Sequence, residues 1–394
     1  MAHAPPDRPC TTRHAIILAA GESRRTRPLT NRRPKPLIPL LGQPLLAHIL
    51  DELAGLVTQA TLVVGYMAEA IEAHFGPSYR GIDLRYVRQR EVNGTAGAML
   101  AAGPADGPFF LLYGDNLVAR ADLLGVCDEP FKLAGLRVDD PRAFGVLQIV
   151  GGQVTGIWEK PQDPPPGALA NPGIYHFGPE AMPLAAQIQP SPRGELELTD
   201  LIGMLAAERH VGHHVCAGHW VPVGTPWEAL SAAQFLLARR AGLRAQIDPA
   251  ARVEPGAALA GAVSVGPGAV VEAGARVVGP AVIGAGCQVR SGALIERSAL
   301  EPGAVVGEGA RLADSVLGAG ARLGAGAAAA SSWLDDGAQL APGAVLPARE
   351  LSELRPSAAT AGLLSPAALR TRGAVLGQGA HFAGAAEPGS VIVE

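Results

Sequence analysis

The chain lacks an apolar run of the roughly 18 residues that a membrane-spanning helix needs. Its first thirteen residues, MAHAPPDRPCTTR, lack the apolar middle of a secretory signal and read as a frayed tail, residues 1–13. Its four cysteines, Cys10, Cys127, Cys216 and Cys287, form no CxxC pair and stand far apart. That spacing argues against a metal or disulfide framework and fits a reducing cytoplasm. Strong net charge is also missing: charged residues are 17% and the formal net charge is -4. No overall field would steer the chain to nucleic acid or to a membrane surface, so neither is expected as a partner. Neither of two common phosphate-binding glycine loops is present near the start, GxGxxG or the GK-Ser/Thr type. Histidine is absent between Trp220 and His381.

What is present falls into two rhythms. From His14 to about Arg240, short apolar runs alternate with helical spacing. AIILAA (Ala15 to Ala20), ATLVVGY (Ala60 to Tyr66) and FFLLYGD (Phe109 to Asp115) read as buried strands. PLLAHILDELAGL (Pro44 to Leu56) and TAGAMLAAG read as helices. Strand, helix, strand in this order predicts an α/β domain over 14–240: a mostly parallel, Rossmann-like sheet with helices on its faces. Ligands of such sheets lie at the carboxyl ends of strands, where Gly21 and Asp115 fall.

Beyond Gly242 the period becomes six. Aliphatic residues stand at Ile247, Val253, Leu259, Val265, Val271, Val277, Ile283, Val289 and Ile295, each followed four positions later by a small residue or valine. Six fits neither a helix nor a hairpin. It suits a β-solenoid over 245–394, with one hexad to a flat side and three sides to a turn. The register slips near Glu301 and again before Leu317. Leu346 to Arg370 breaks the repeat as a loop or short helix, and GAVLGQGAHFAG (Gly373 to Gly384) returns to it. A coil stabilised by stacking needs a cap or a partner, so self-association is expected.

The first apolar run ends in LAAGESRRTRPLTNRRPKPLIPL, Leu18 to Leu40, with five arginines, one lysine and four prolines. A strand turning at Gly21 presents backbone N–H groups to an anion. Arg25 and Lys35 follow on a loop stiffened by Pro28, Pro34, Pro36 and Pro39. Several cations over such a turn suit a triphosphate better than one carboxylate. Arg24, Arg32 and Arg33 read as solvated.

This stretch resembles the signature of the sugar-1-phosphate nucleotidyltransferases, the NDP-sugar pyrophosphorylases. Gly21, Arg25, Pro28, Leu29 and the Pro34-Lys35-Pro36-Leu37 block match it, whereas Ser23 and Arg24 replace the usual Gly and Thr. Further blocks match in order: RQREVNGTAGAM, LLYGDN, FGVLQI, GIWEKP, NPGIYHF, GELELTD and VGTPWEAL. The resemblance implies attack by a sugar-1-phosphate on the α-phosphorus of a nucleoside triphosphate, with pyrophosphate leaving. It places Leu18, Ala20, Gly21, Gln89, Gly94 and Thr95 at the nucleotide. Gly145, Glu159 and Asn171 lie at the sugar, Arg25, Lys35 and Lys160 at the phosphates, and Asp115 on Mg²⁺. Gln89 with NGTAGA favours UTP or dTTP. Pro222, in WVPVGTP, stands where many members carry a second metal-binding Asp, which leaves a nucleotide-sugar-binding regulator as an alternative. His213, His214 and His219 receive no role.

The order of the two halves is similar to archaeal-type bifunctional nucleotidyltransferase/acetyltransferases, whose coil is a left-handed parallel β-helix. ADSVLGAGARLGAG (Ala313 to Gly326) and RGAVLGQGAHFAGAAEPGSVI (Arg372 to Ile392) resemble degraded acetyltransferase segments. Such enzymes need a histidine base ahead of the first. GEGARLA offers none, so no acetyl transfer is expected, with His381 the one candidate against that reading.

Overall fold

A computed structural model describes residues 10–350 and 371–393. By contact these residues group into two units. The first joins the described chain through Glu22 to Leu46–Val221, and the second joins Ser23–Leu45 to the residues from Pro222 onward.

The first unit is built on an eleven-stranded mixed sheet. His14–Ala19 lies parallel between Gln59–Val64 and Phe109–Tyr113, and Ile82–Arg88 extends the parallel part. The centre of this part is apolar almost without interruption, because both faces are covered and no alternation is required. Ile16, Val63 and Leu111 of these strands share one core with Ala96 and Met99 of the helix Thr95–Ala101. Leu198, Leu201 and Ile202 of the helix Leu198–Glu208 belong to the same core. An antiparallel wing continues the sheet. Ile174–Phe177 pairs with Phe109–Tyr113 and with Lys132–Arg137, and beyond them Gly145–Val150 pairs with Gln153–Glu159.

Residues 1–9 of the expected tail lie outside the described residues. From Cys10 the chain is docked. Thr12 is buried and its Oγ1 lies 2.7 Å from His176 Nε2, while the Arg13 carbonyl accepts the N–H groups of Thr58 and Gln59. The expectation of unpaired cysteines is corrected: Cys10 and Cys127 form a disulfide, their Cα atoms 5.5 Å apart. Their separation in sequence, 117 residues, conceals a proximity that docking of the amino-terminal strand creates. Among the described residues no helix is long and apolar enough to cross a membrane.

The second unit begins its carboxyl-terminal part with the helix Pro226–Ala238. Thr225 Oγ1 accepts the Glu228 N–H, Glu228 Oε2 accepts the Gly224 N–H, and proline fills the first position. The N-cap hydroxyl meets one free N–H of the first turn, Glu228 reaches back to the residue before the cap, and proline pre-sets the backbone. The remainder is a left-handed parallel β-helix of three sheets with eight, seven and six strands, each all-parallel. The hexads point as expected. Val265, Val271, Val277, Ile283, Val289 and Ile295 are buried, as are Ala269, Ala275, Ala281, Cys287 and Ala293 between them. Ile247, on the first rung, is exposed.

The register slip has a structural cause. Early turns place partners 18 residues apart, as in Arg290 to Glu272, and later turns 17, as in Ser315 to Ser298. The lost residue comes from one corner, where Arg297, Asp314 and Ser331 adopt positive φ. Inside that corner three buried serines stack. Each hydroxyl donates to the carbonyl two residues back (Glu296, Ala313, Ala330) and accepts an N–H from the next turn (Ser315, Ser332, Ala374). Leu300, not Glu301, fills the inward position. Residues 351–370 of the expected break lie outside the described residues. After them Val375–Leu376 and His381–Phe382 rejoin the coil against Trp333–Leu334 and Gln339–Leu340.

Candidate active site

Within the first unit the candidate residues lie at strand ends. The strand His14–Ala19 runs out at Ala20 and Gly21. The Leu18 carbonyl accepts the Gly114 N–H at 2.9 Å, and the Ala20 carbonyl accepts the Tyr66 N–H at 3.2 Å. A Cβ on Gly65 would meet the Ala20 oxygen at 2.5 Å, so only glycine lets these neighbouring strand ends approach. Gly21 itself is exposed.

Gln89 follows the strand Ile82–Arg88. Its N–H donates to the Val64 carbonyl, and its side chain is buried. Gln89 Nε2 donates to Asn93 Oδ1 at 3.1 Å, which fixes the amide before any ligand arrives. Gly94 has φ 101, and a Cβ there would collide with the Leu196 backbone. Thr95 Oγ1 accepts the Leu198 N–H at 3.1 Å, and Leu196 donates its own N–H to the Asn93 carbonyl. The expected nucleotide residues Gln89, Gly94 and Thr95 are thus brought together. Asn93 and Leu196, which sequence reasoning passed over, hold them. The asparagine of NGTAG was the available signal.

The sugar candidates converge on the antiparallel wing. Gly145 is the register partner of Glu159, and Asn171 donates its N–H to the Gly145 carbonyl at 2.8 Å. A Cβ at Gly145 would sit 3.4 Å from Glu159 Oε2 and 3.7 Å from the Asn171 Cβ. Asn171 is held at both ends of its amide: Nδ2 donates to Tyr175 OH at 2.7 Å, and Oδ1 accepts the Gly173 N–H at 3.1 Å. Tyr175 OH lies 3.2 Å from Tyr113 OH. Burial pushes the Tyr175 phenol up to about 12, and burial likewise raises Tyr113, so both remain neutral. These tyrosines were missed, because in LLYGDN and IYHF they read as core. Lys160 adopts φ 47, its N–H donates to the Phe144 carbonyl, and its Nζ lies 3.6 Å from Glu159 Oε1. Both side chains are exposed.

Asp115 stands two residues past the strand Phe109–Tyr113, after Gly114, and is half-buried. The next residue, Asn116, and Trp220 both donate to the Pro172 carbonyl, at 3.3 and 2.8 Å. Pro172 is thereby tied to the Asp115 turn. Among the described residues no group of three or more His, Cys, Asp or Glu side chains could hold a metal on its own. One carboxylate is a donor set that fits Mg²⁺ only together with phosphate and water oxygens.

Arg25 and Lys35 belong to the second unit, each on a single 3-10 turn, Arg24–Thr26 and Lys35–Leu37. Arg25 is exposed and Lys35 is buried. Thr26 Oγ1 donates to the Gly224 carbonyl at 3.2 Å, so the arginine turn is tied to the VGTP stretch after Pro222. Arg24 and Arg32 are exposed. Arg33 is not solvated as expected: its side chain is 11% exposed and paired with two aspartates of the coil.

The first unit is thus a mixed α/β sheet with polar groups at its strand ends, and the second carries a coil of six-residue repeats. The chain belongs to the nucleotidyl transferase family, whose model matches residues 14–239. It is 36% identical over 224 residues to the bifunctional protein GlmU of Methanocaldococcus jannaschii, 57% of this chain and 54% of that protein. It is 34% identical over 201 residues to the UTP–glucose-1-phosphate uridylyltransferase AglF of Haloferax volcanii, 48% of this chain and 82% of that protein. A third relative, the low-salt glycan biosynthesis nucleotidyltransferase Agl11 of the same organism, is 33% identical over 235 residues. The chain spans about half the length of the bifunctional relatives it matches.

Proposed function

We propose that the chain transfers a nucleotidyl group from a nucleoside triphosphate, UTP or dTTP, to a hexose-1-phosphate, releasing pyrophosphate. The observation that carries this reading is the convergence of Gly145, Glu159 and Asn171, with Lys160 next in sequence and Tyr175 fixing the asparagine amide. Hydroxyl-bearing ligands need such pre-set donors and acceptors, since a buried hydroxyl without a partner is costly. Glu159 and Asn171 read sugar hydroxyls, and Gly145 leaves room for the ring. Gln89, Gly94 and Thr95 receive the base, with Leu18, Ala20 and Gly21 on the nucleoside and phosphate side. Arg25 and Lys35 neutralise the triphosphate, and Lys160 holds the sugar phosphate. No covalent enzyme intermediate is required. The reaction joins two polyanions, so positioning and charge neutralisation do most of the work.

Asp115 is the residue that holds Mg²⁺. The ion supplies charge neutralisation at the phosphates. Pro222 adds no side-chain ligand, and it favours a second reading, a nucleotide-sugar binder without turnover. The coil serves self-association. The Cys10–Cys127 disulfide removes the ground on which a reducing cytoplasm was expected.

A screen of pyrophosphate release from four triphosphates against a panel of sugar-1-phosphates, with and without Mg²⁺, separates these readings. The transferase reading expects Mg²⁺-dependent release with UTP or dTTP, lost by at least about 100-fold in Asp115→Ala. Binding of a nucleotide-sugar with no release in any combination favours the regulator.

A further inference from the structure

A group of charged side chains lies wholly within the second unit and is used by none of the steps above. Arg33 Nη2 donates to Asp336 Oδ2 at 2.6 Å and stands 3.0 Å from Asp335 Oδ1, an ion pair without hydrogen-bond geometry. The Asp335 side chain is 1% exposed. On the same sheet of the coil, two turns earlier, Glu301 is 3% exposed and its Oε1 accepts the Gly42 N–H at 3.0 Å. Gly42 and Leu41 form the tip of a two-residue hairpin between Pro39–Leu40 and Gln43–Pro44, with φ 82 and 56. Positive φ at both tip residues is the geometry of a tight two-residue hairpin, and the Gly42 N–H at its tip is the group that Glu301 accepts.

The loop is therefore held on both sides of Lys35, by Arg33 before it and Gly42 after it. Attachment alone does not need these charges. Leu29, Ile38 and Leu40 of the same segment are already buried at 1% exposure or less. Burying an ion pair costs desolvation that apolar packing avoids, and the attested return is register rather than strength. We propose that Arg33, Asp336 and Glu301 are positioning residues for nucleotidyl transfer: the coil fixes the register of the loop that presents Arg25 and Lys35 to the triphosphate. The inference rests on the transferase reading and extends it by giving the coil a part in the placement of Arg25 and Lys35 within the second unit.

The test uses the full chain. Arg33→Met and, separately, Asp336→Asn raise KM for the triphosphate about tenfold, which is about 1.4 kcal/mol of lost positioning. KM for the sugar phosphate is unchanged and kcat stays within about twofold. Arg33→Lys recovers part of the loss. Amide exchange across 34–42 rises in both variants. Asp336 is partly exposed, so Asp336→Asn keeps the test usable if Arg33→Met does not fold. A triphosphate KM within about twofold of the unaltered chain in both, despite faster exchange, makes the cluster merely structural and overturns the proposal. If the unaltered chain turns over no triphosphate, the transferase reading fails on its own. Equilibrium binding of UTP then decides: a weaker Kd in the variants keeps the positioning role, and an equal Kd, or no binding at all, ends it.

Discussion

At the scale of single residues, the candidate site was legible where polar side chains mark it and illegible where its neighbours lie in apolar strands. Gly145, Glu159 and Asn171 could be picked from the sequence, and the sheet brings them together. Tyr175 could not, since a tyrosine between isoleucine and histidine in a buried strand looks like packing. Its hydroxyl nevertheless orients Asn171, so Tyr175→Phe is expected to raise KM for the sugar phosphate roughly fivefold, the worth of about one hydrogen bond. KM for the triphosphate stays put, and steady-state kinetics with each substrate varied in turn checks the split. Arg33 was misread for a related reason: five arginines in one stretch look alike until a fold buries one. Its partner Asp335 is pushed up to about 6, first by burial and then by Asp336, with Arg33 pulling the other way. The folded chain therefore holds this proton more tightly than the unfolded chain. The group costs stability as pH rises from its ordinary value through about 6, and the cost is complete above that. Asp335→Asn removes the cost. Its Tm relative to the unaltered chain is expected to be more favourable at about pH 8 than at about pH 4, read by thermal unfolding at both. An equal difference at both pH values would count against a raised carboxyl.

At the scale of elements, the six-residue period specified which side chains enter the coil and which make its flat sides. It left the corner unexplained. In sequence the shortened turns look like two slips. In the structure they are one corner repeated, closed by Ser298, Ser315 and Ser332. Serine is small enough for the corner and carries both a donor and an acceptor, which alanine lacks. Ser315→Ala strips the acceptor from the buried Ser332 N–H and is expected to cost about 2 kcal/mol. Ser291→Ala, on an exposed corner, should cost less than about 0.5 kcal/mol. Urea unfolding of the two variants side by side measures the contrast. The candidate nucleotide residues carry a similar lesson. Gln89 was named from its motif, but its fixed amide comes from Asn93 through a turn whose geometry no periodicity encodes.

At the scale of the whole molecule, the order of an α/β part and a six-residue coil was plain from the change of period. Which part Ser23–Leu45 belongs to was not, because hydropathy records how apolar a segment is and not which neighbour receives it. The coil's first rung, Gln246–Ile247, is exposed among the described residues, and repeat folds cover such an end with a cap or a second copy. Sedimentation equilibrium is expected to give a whole-number multiple of 40.3 kDa, two or greater. A mass of one chain at about 50 μM would remove self-association from the account.

The seating of Arg33 and the Leu41–Gly42 tip on the coil bears on how such a chain could be recombined. A hybrid that kept the first 240 residues and borrowed a foreign coil would strand a guanidinium and a hairpin without their acidic seats. Any successful graft has to carry Asp335, Asp336 and Glu301 across with it, so these three positions, more than the seam between the halves, set the true unit of exchange.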